Sequence, residues 1–169
     1  MKVFLSLLLS GLLSVVQPIF GVVSSSAYLL TNLNNSTGDG TFIYVPFNAV
    51  SFDDGACFNL SNGHYTAPGD GTLIINGIVE VSKLSSSHQT LAIVVYNQTN
   101  SQQRYMYAIN PYPLQDSVYP GYCQLPFATT MKCSAGDVFQ LLVFVIGGNK
   151  TVDLVGGQAE TRLSVNFFN

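Results

Sequence analysis

From Thr41 to the C-terminus the chain alternates short β-forming runs with clusters of turn residues roughly every ten positions. No stretch outside the N-terminal segment repeats apolar residues at helical spacing, which restricts the chain to an all-β architecture. Thr41-Phe42-Ile43-Tyr44-Val45 is a β-forming run stopped by Pro46. Gly71 to Leu84 reads as one long strand, with Leu73, Ile75, Val79 and Val81 on one face, Asn76, Glu80 and Ser82 largely on the other, and Gly77 in its middle. Leu91–Tyr96 and Val138–Ile146 are continuous apolar runs, as expected of strands covered on both faces. Arg104–Ile109 and Thr161–Phe168 complete the pattern, and about eight to ten such strands predict a single antiparallel jelly-roll sandwich.

The densest signal runs from Phe47 to Gly71. Phe58 and Tyr65 flank Ser61-Asn62-Gly63, a turn signal between two strands, and Pro68-Gly69-Asp70-Gly71 is a second turn before Leu73. Each large ring is expected to enter one core. Phe47, Asp53, Phe58, Tyr65 and Gly71 stand at spacings that resemble the opening signature of the complement-1q-like globular head, a sister fold of the tumour necrosis factor ligands. Ala135-Gly136-Asp137-Val138-Phe139-Gln140-Leu141 is similar to that family's glycine–aspartate turn, and Leu163 to Phe168 to its closing strand. The resemblance spans residues 42 to 168. It departs from the pattern at Leu73, Ile75 and Gly77, where the family alternates aromatics, and the 15 glycines form no collagen repeat. It implies a non-enzymatic, secreted homotrimer in which the sheet carrying the last strand packs around a threefold axis. It also implies that Asp53 holds the turn before Phe58 by accepting backbone N–H groups.

At 169 residues with 47% hydrophobic content, the chain supports one core, assigned to residues 41–169. Only 9% of residues are charged, against about 25% in typical soluble proteins. The exterior must therefore be wetted by uncharged polar groups or covered by subunits or glycans. Val143 and Val145 in the two-sided run, with Val165 and Phe167 in the last strand, are the expected trimer contacts. The net charge of -3 and the scattered Lys83, Arg104, Lys132, Lys150 and Arg162 exclude a nucleic-acid stripe.

Residues 1–21 have the basic start and apolar stretch of a signal peptide, with cleavage expected between residues 21 and 27. An uncleaved anchor is the alternative, but Pro18 and the following serines weigh against a stable membrane span. Residues 22–40 are polar and read as a flexible arm. Sequons at Asn34, Asn35, Asn59, Asn97 and Asn149 fit a secreted glycoprotein, with Asn59 and Asn97 in expected turns. Of three cysteines, Cys123 and Cys133 flank Pro126 and would close a hairpin-sized loop worth roughly 3 kcal/mol. A bridge from Cys57 to either remains open, and one thiol is left over.

The two histidines, His64 and His88, read as exposed loop residues without nucleophile partners, and no cofactor fingerprint occurs. Catalysis is not expected. Asp53 and Asp54 are the candidates for calcium, which wants six to eight oxygens; no other cofactor is indicated. Tyr105, Tyr107, Tyr112, Tyr119 and Tyr122, interleaved with Pro111, Pro113 and Pro120, form the candidate ligand-binding surface, because tyrosines carry large contact area with a polar handle. The same rings would also serve a trimer seam. The resulting reading is a secreted trimeric recognition module for a protein, glycan or cell-surface ligand. The alternatives are a virion component, as spike or fibre head or jelly-roll capsid protein, and a cytokine-like receptor ligand.

Overall fold

The computed structural model describes residues 21–169, with the side chains of Tyr105 and Tyr107 excepted. The expected signal peptide over residues 1–21 therefore lies, apart from Gly21, outside the described residues. Among those described are thirteen strands: β1 (Val22–Tyr28), β2 (Leu33–Thr37), β3 (Ile43–Tyr44), β4 (Ala49–Asp53), β5 (Phe58–Asn59), β6 (His64–Thr66), β7 (Gly71–Ser82), β8 (Thr90–Asn97), β9 (Gln102–Ile109), β10 (Cys123–Cys133), β11 (Val138–Ile146), β12 (Val152–Leu154) and β13 (Arg162–Phe168). A 3-10 turn over Tyr112–Leu114 precedes β10.

The strands form two antiparallel sheets, a jelly-roll sandwich. One runs β2-β12-β7-β13-β1-β4, with β10 on the free side of β7; the other runs β5-β6-β11-β8-β9, with β3 on β11. Period-2 alternation sends one set of side chains from each sheet into a shared core. Leu73, Ile75, Val79 and Val81 of β7 face Leu91, Ile93 and Val95 of β8 and Leu141, Val143 and Val145 of β11 within that cluster.

Residues 22–40 are not an arm. Val22–Tyr28 is a central strand, paired with β13 along its whole length and with β4 on its other side. Its serines, which read as linker, are partnered across the sheet: Ser24 Oγ donates to Asn166 Oδ1 at 2.8 Å, Ser25 Oγ donates to Asp53 Oδ1 at 2.6 Å, and Ser26 Oγ meets Ser164 Oγ at 3.0 Å. Farther along, the Thr37 hydroxyl of β2 accepts the N–H of Val145 at 2.9 Å and so ties this segment to the second sheet.

The expected Cys123–Cys133 loop is likewise replaced by a strand. Both cysteines are free and stand at opposite ends of β10, ten residues of extended chain apart, or about 33 Å. A disulfide needs Cα atoms within about 7 Å. Pro126 fits because β10 is bonded only to β7, so the missing N–H falls where an edge strand tolerates it. Buried Cys123, Leu125, Phe127, Met131 and Cys133 alternate with exposed Gln124, Pro126, Ala128, Thr130 and Lys132. Burial pushes all three thiols, Cys57 included, above the ordinary cysteine value.

The signature residues meet in one place. Phe47, Phe58 and Tyr65 are all buried, and Phe58 contacts the other two rings edge-on at centroid distances of 6.4 and 5.3 Å. Asp53 Oδ2 accepts the N–H of Phe58 at 2.9 Å, and Oδ1 accepts that of Cys57 at 3.0 Å. Gly71 is required by close approach: a Cβ there would collide with the Phe168 carbonyl oxygen and come within 2.8 Å of the Phe167 ring.

Candidate recognition surfaces

Three expected site assignments change once side chains are placed. Val143, Val145, Val165 and Phe167 are between 0 and 4% exposed and belong to the chain's own core, so none of them touches a partner. Period-2 geometry hands the outward positions to their neighbours. On the β7-β13-β1 face the register sets Thr72, Phe168 and Val22 in one row, Ile74, Asn166 and Ser24 in the next, and Asn76, Ser164 and Ser26 in a third. Phe52 of β4 extends the last row. Ile74, Phe168, Val22 and Phe52 are exposed; the rows carry no charge on β7, β13, β1 and β4, and Lys132 of β10, opposite Thr72, donates to its hydroxyl at 2.9 Å at the edge of the face.

The sequon at Asn97 is also closed. That side chain is 0% exposed, and its amide donates to the buried carboxylate of Asp137 at 3.0 Å, so a glycan is incompatible with the packing. Asn34, Asn35, Asn59 and Asn149 remain exposed. The calcium candidate at Asp53 has both carboxylate oxygens committed to Ser25, Cys57 and Phe58. No group of three His, Cys, Asp or Glu suited to a metal occurs among the described residues.

His88 is not an exposed loop residue. It is 2% exposed, its Nδ1 accepts the N–H of Ser85 at 2.9 Å, and its buried Nε2 finds no partner. His64 lies on β6 against Gln140, half-buried. Burial lowers the pKa of both imidazoles.

The tyrosine–proline segment forms a built loop between β9 and β10. Asp116 accepts the N–H groups of Val118 at 2.6 Å and Tyr119 at 3.0 Å; Gln115 Oε1 accepts that of Gly121 at 2.7 Å; and the Asp116 N–H donates to the Tyr122 carbonyl at 2.8 Å. Gly121 sits at φ +92°, a value that favours glycine. These bonds present Tyr119 and Tyr122 edge to face at 6.4 Å, with Tyr119 65% exposed. With Leu114, Glu80, Asp116 and Gln124 they line a cleft of about 530 Å³. Gln124 donates to Glu80 at 3.0 Å, while burial first, and then the charge of Glu160, pushes the Glu80 carboxyl above its usual range. Tyr112 is exposed on the same loop but outside the cleft lining. Aromatic faces beside two carboxyl groups suit an aliphatic cation better than an anion. The two acids at the floor, Glu80 and Asp116, were not singled out as ligand contacts in the sequence, since one sits on a strand face and the other in the loop.

These two antiparallel sheets make the class one of fold: a jelly roll of the tumour necrosis factor/complement-1q-like type, as the solved structures it resembles show. No protein-family model and no curated protein matches the sequence. Among solved structures the chain is similar to murine APRIL at pH 8.5, with a TM-score of 0.58 and 10% identity over 87% of this chain and 99% of that one. It is also similar to the globular domain of zebrafish complement 1qA (TM-score 0.55, 12% identity, 88% and 96% covered) and to Eiger TNF from S. frugiperda (0.54, 13%, 89% and 93%). At such identities the likeness is one of fold. No helix among the described residues is long and apolar enough to cross a membrane.

Proposed function

We propose that the protein is a secreted, non-enzymatic homotrimer that recognises a partner through the loop carrying Tyr119 and Tyr122. The observation that carries this reading is the tyrosine pair held by Asp116 and Gln115 over Glu80, a rigid aromatic surface with an acidic floor. Its chemistry favours a lysine or arginine side chain of a protein ligand, whose methylenes lie on the rings while the charge reaches the carboxylates. The trimer packs through the outer face of β7, β13 and β1, where Ile74, Phe168 and Val22 stand exposed among uncharged serine and asparagine. With Lys132 left at the open edge beside Thr72, burying that face sets no ion against an apolar partner. The likeness to both a complement-1q head and tumour-necrosis-type structures supports the binding role without favouring either type. A signal peptide removed after Gly21 and glycans at exposed sequons complete the proposal.

The test is binding of the labelled mature protein to cell-surface preparations from its source. Replacing Tyr119 and Tyr122 together by Ser is expected to weaken binding at least tenfold, about 1.4 kcal/mol, at unchanged oligomer mass, and free arginine is expected to compete. Wild-type binding by that variant moves the site elsewhere on the molecule.

A further inference from the structure

A second ligand-sized cleft lies on the other sheet and shares no lining residue with the tyrosine cleft. The register of five strands builds it. Asn59 pairs with His64, Gln140 with Tyr96, and Tyr96 with Gln103, while Phe139 opposite Tyr65 sets His64 beside Gln140. Cross-strand partners point to one face. Because Tyr65, Phe139, Leu141 and Val95 enter the core, this row faces outward. With Tyr44 and Gln98 it encloses about 390 Å³, lined by Tyr44, His64, Tyr96, Gln98 and Gln140, within the roughly 300–1,000 Å³ of small-molecule sites.

The floor is fixed and polar. Gln140 is 6% exposed, and its Nε2 donates to Gln98 Oε1 at 2.8 Å and to the His64 imidazole. Its Oε1 is buried and accepts nothing, whereas the large majority of buried polar atoms in proteins are hydrogen-bonded. Tyr44, 52% exposed, and Tyr96 supply aromatic walls.

The lining selects its ligand by elimination. It contains no Lys or Arg to hold an anion and no Asp or Glu to hold a cation. Burial lowers the His64 pKa, which keeps that ring neutral near neutral pH. A wholly apolar ligand would strip water from the tyrosine hydroxyls and from the remaining hydrogen-bonding capacity of Gln98 and His64 without replacing it. What remains is a neutral molecule with an apolar face and several hydroxyls. A sugar ring has both: its C–H face lies on tyrosine, and its vicinal hydroxyls match amides that offer donor and acceptor side by side.

We propose that the cleft bounded by Tyr44, Tyr96, Gln98, Gln140 and His64 binds a neutral sugar residue of a glycan. The sugar has two available sources. One is a glycan on another molecule. The other is a glycan on the exposed sequon residue Asn59, which shares a face and a strand pair with His64.

The full secreted chain, before and after enzymatic removal of its N-glycans, is titrated by saturation-transfer NMR with lactose, mannotriose, maltotriose and chitotriose, and with trigalacturonate as an acidic control. At least one neutral sugar is expected to receive saturation with millimolar or tighter affinity, and the acidic control is not. Tyr44→Ala and Gln98→Ala alter exposed side chains and are expected to keep the melting temperature while weakening that binding at least tenfold. Binding by the untreated protein assigns the cleft to an external glycan. Binding that emerges only after deglycosylation, and is reproduced by Asn59→Gln, assigns it to the protein's own. Absence of transfer from every neutral sugar in both forms overturns the proposal, and so does transfer undiminished in the two variants. The tyrosine loop is untouched by these substitutions, so its role stands or falls separately.

Discussion

The side-chain amide of Asn97 donates to Asp137 Oδ2 at 3.0 Å, and both residues are buried, so the end of β8 is pinned to the turn before β11. The same oxygen accepts the N–H of Ser134 at 3.0 Å, closing the turn on itself. Asn97→Ala would leave a buried carboxylate short of one donor, and we expect a loss of about 1.5–3 kcal/mol in chemical denaturation. Glycopeptide mass spectrometry is expected to find Asn97 unmodified, with any glycans on Asn34 or Asn35, Asn59 and Asn149. A glycan at Asn97 in folded material would contradict the packing.

Phe58→Ala and Tyr65→Ala are each expected to lower stability by about 3–5 kcal/mol, because both rings are buried and in mutual contact. Gly71→Val should do comparable damage through the Phe168 carbonyl and the Phe167 ring. Near-neutral denaturation midpoints at all three positions would mean that this cluster does not organise the fold.

His88 makes stability depend on pH in one direction. Its folded pKa lies below the ordinary value of 6.5 because burial penalises the cation. The unfolded chain therefore binds the proton first, and the stabilisation present above about pH 6.5 is lost as pH falls toward the folded value. His64, lowered for the same reason, acts in the same direction. Thermal melts between pH 7.5 and 5 should show the decline, and His88→Asn, which retains an acceptor for the Ser85 N–H, should flatten it. An unchanged slope in that variant would place the titration elsewhere.

Light scattering at micromolar concentration is expected to give three times the mature mass. Ile74→Asp, on the uncharged outer face, should yield a folded monomer, since an unpaired charge in a dry contact is costly. Val143→Asp should unfold the chain instead, because that side chain is fully buried in the monomer. A trimer that survives Ile74→Asp would assign the contact to another face.

The mature N-terminus is expected at Val22, which leaves β1 whole for pairing with β13. Intact-mass measurement reads this directly. Removal of residues through Ser26 would delete most of β1 and its contacts with Asp53, Asn166 and Ser164.

Features governed by local spacing were legible in the sequence. Turn chemistry at Ser61-Asn62-Gly63 and Pro68 to Gly71, together with alternation in β7, announced a β-sandwich, and the Phe58–Tyr65 pair announced its core. Asp53 as the holder of the turn before Phe58 came from the family resemblance and is found as such. What tertiary structure alone decided was which neighbour each strand takes. Ser24-Ser25-Ser26 reads as linker until Asp53, Asn166 and Ser164 arrive from distant strands to satisfy it. Cys123 to Cys133 reads as a loop around Pro126 until β7 supplies a partner for its whole length. In Val138–Ile146 both faces are apolar, so a period of two cannot say which face is inward; the register with β8 places Val143 and Val145 in the shared core and sets Leu142 and Phe144 on the opposite face, where they are still buried and Phe42 packs on Phe144. The sugar cleft draws its row from β5, β6, β11, β8 and β9, residues as far apart in the chain as Asn59 and Gln140. Side-chain periodicity is a property of one segment, whereas burial and register are set by long-range pairing, and only the assembled sheets contain that information.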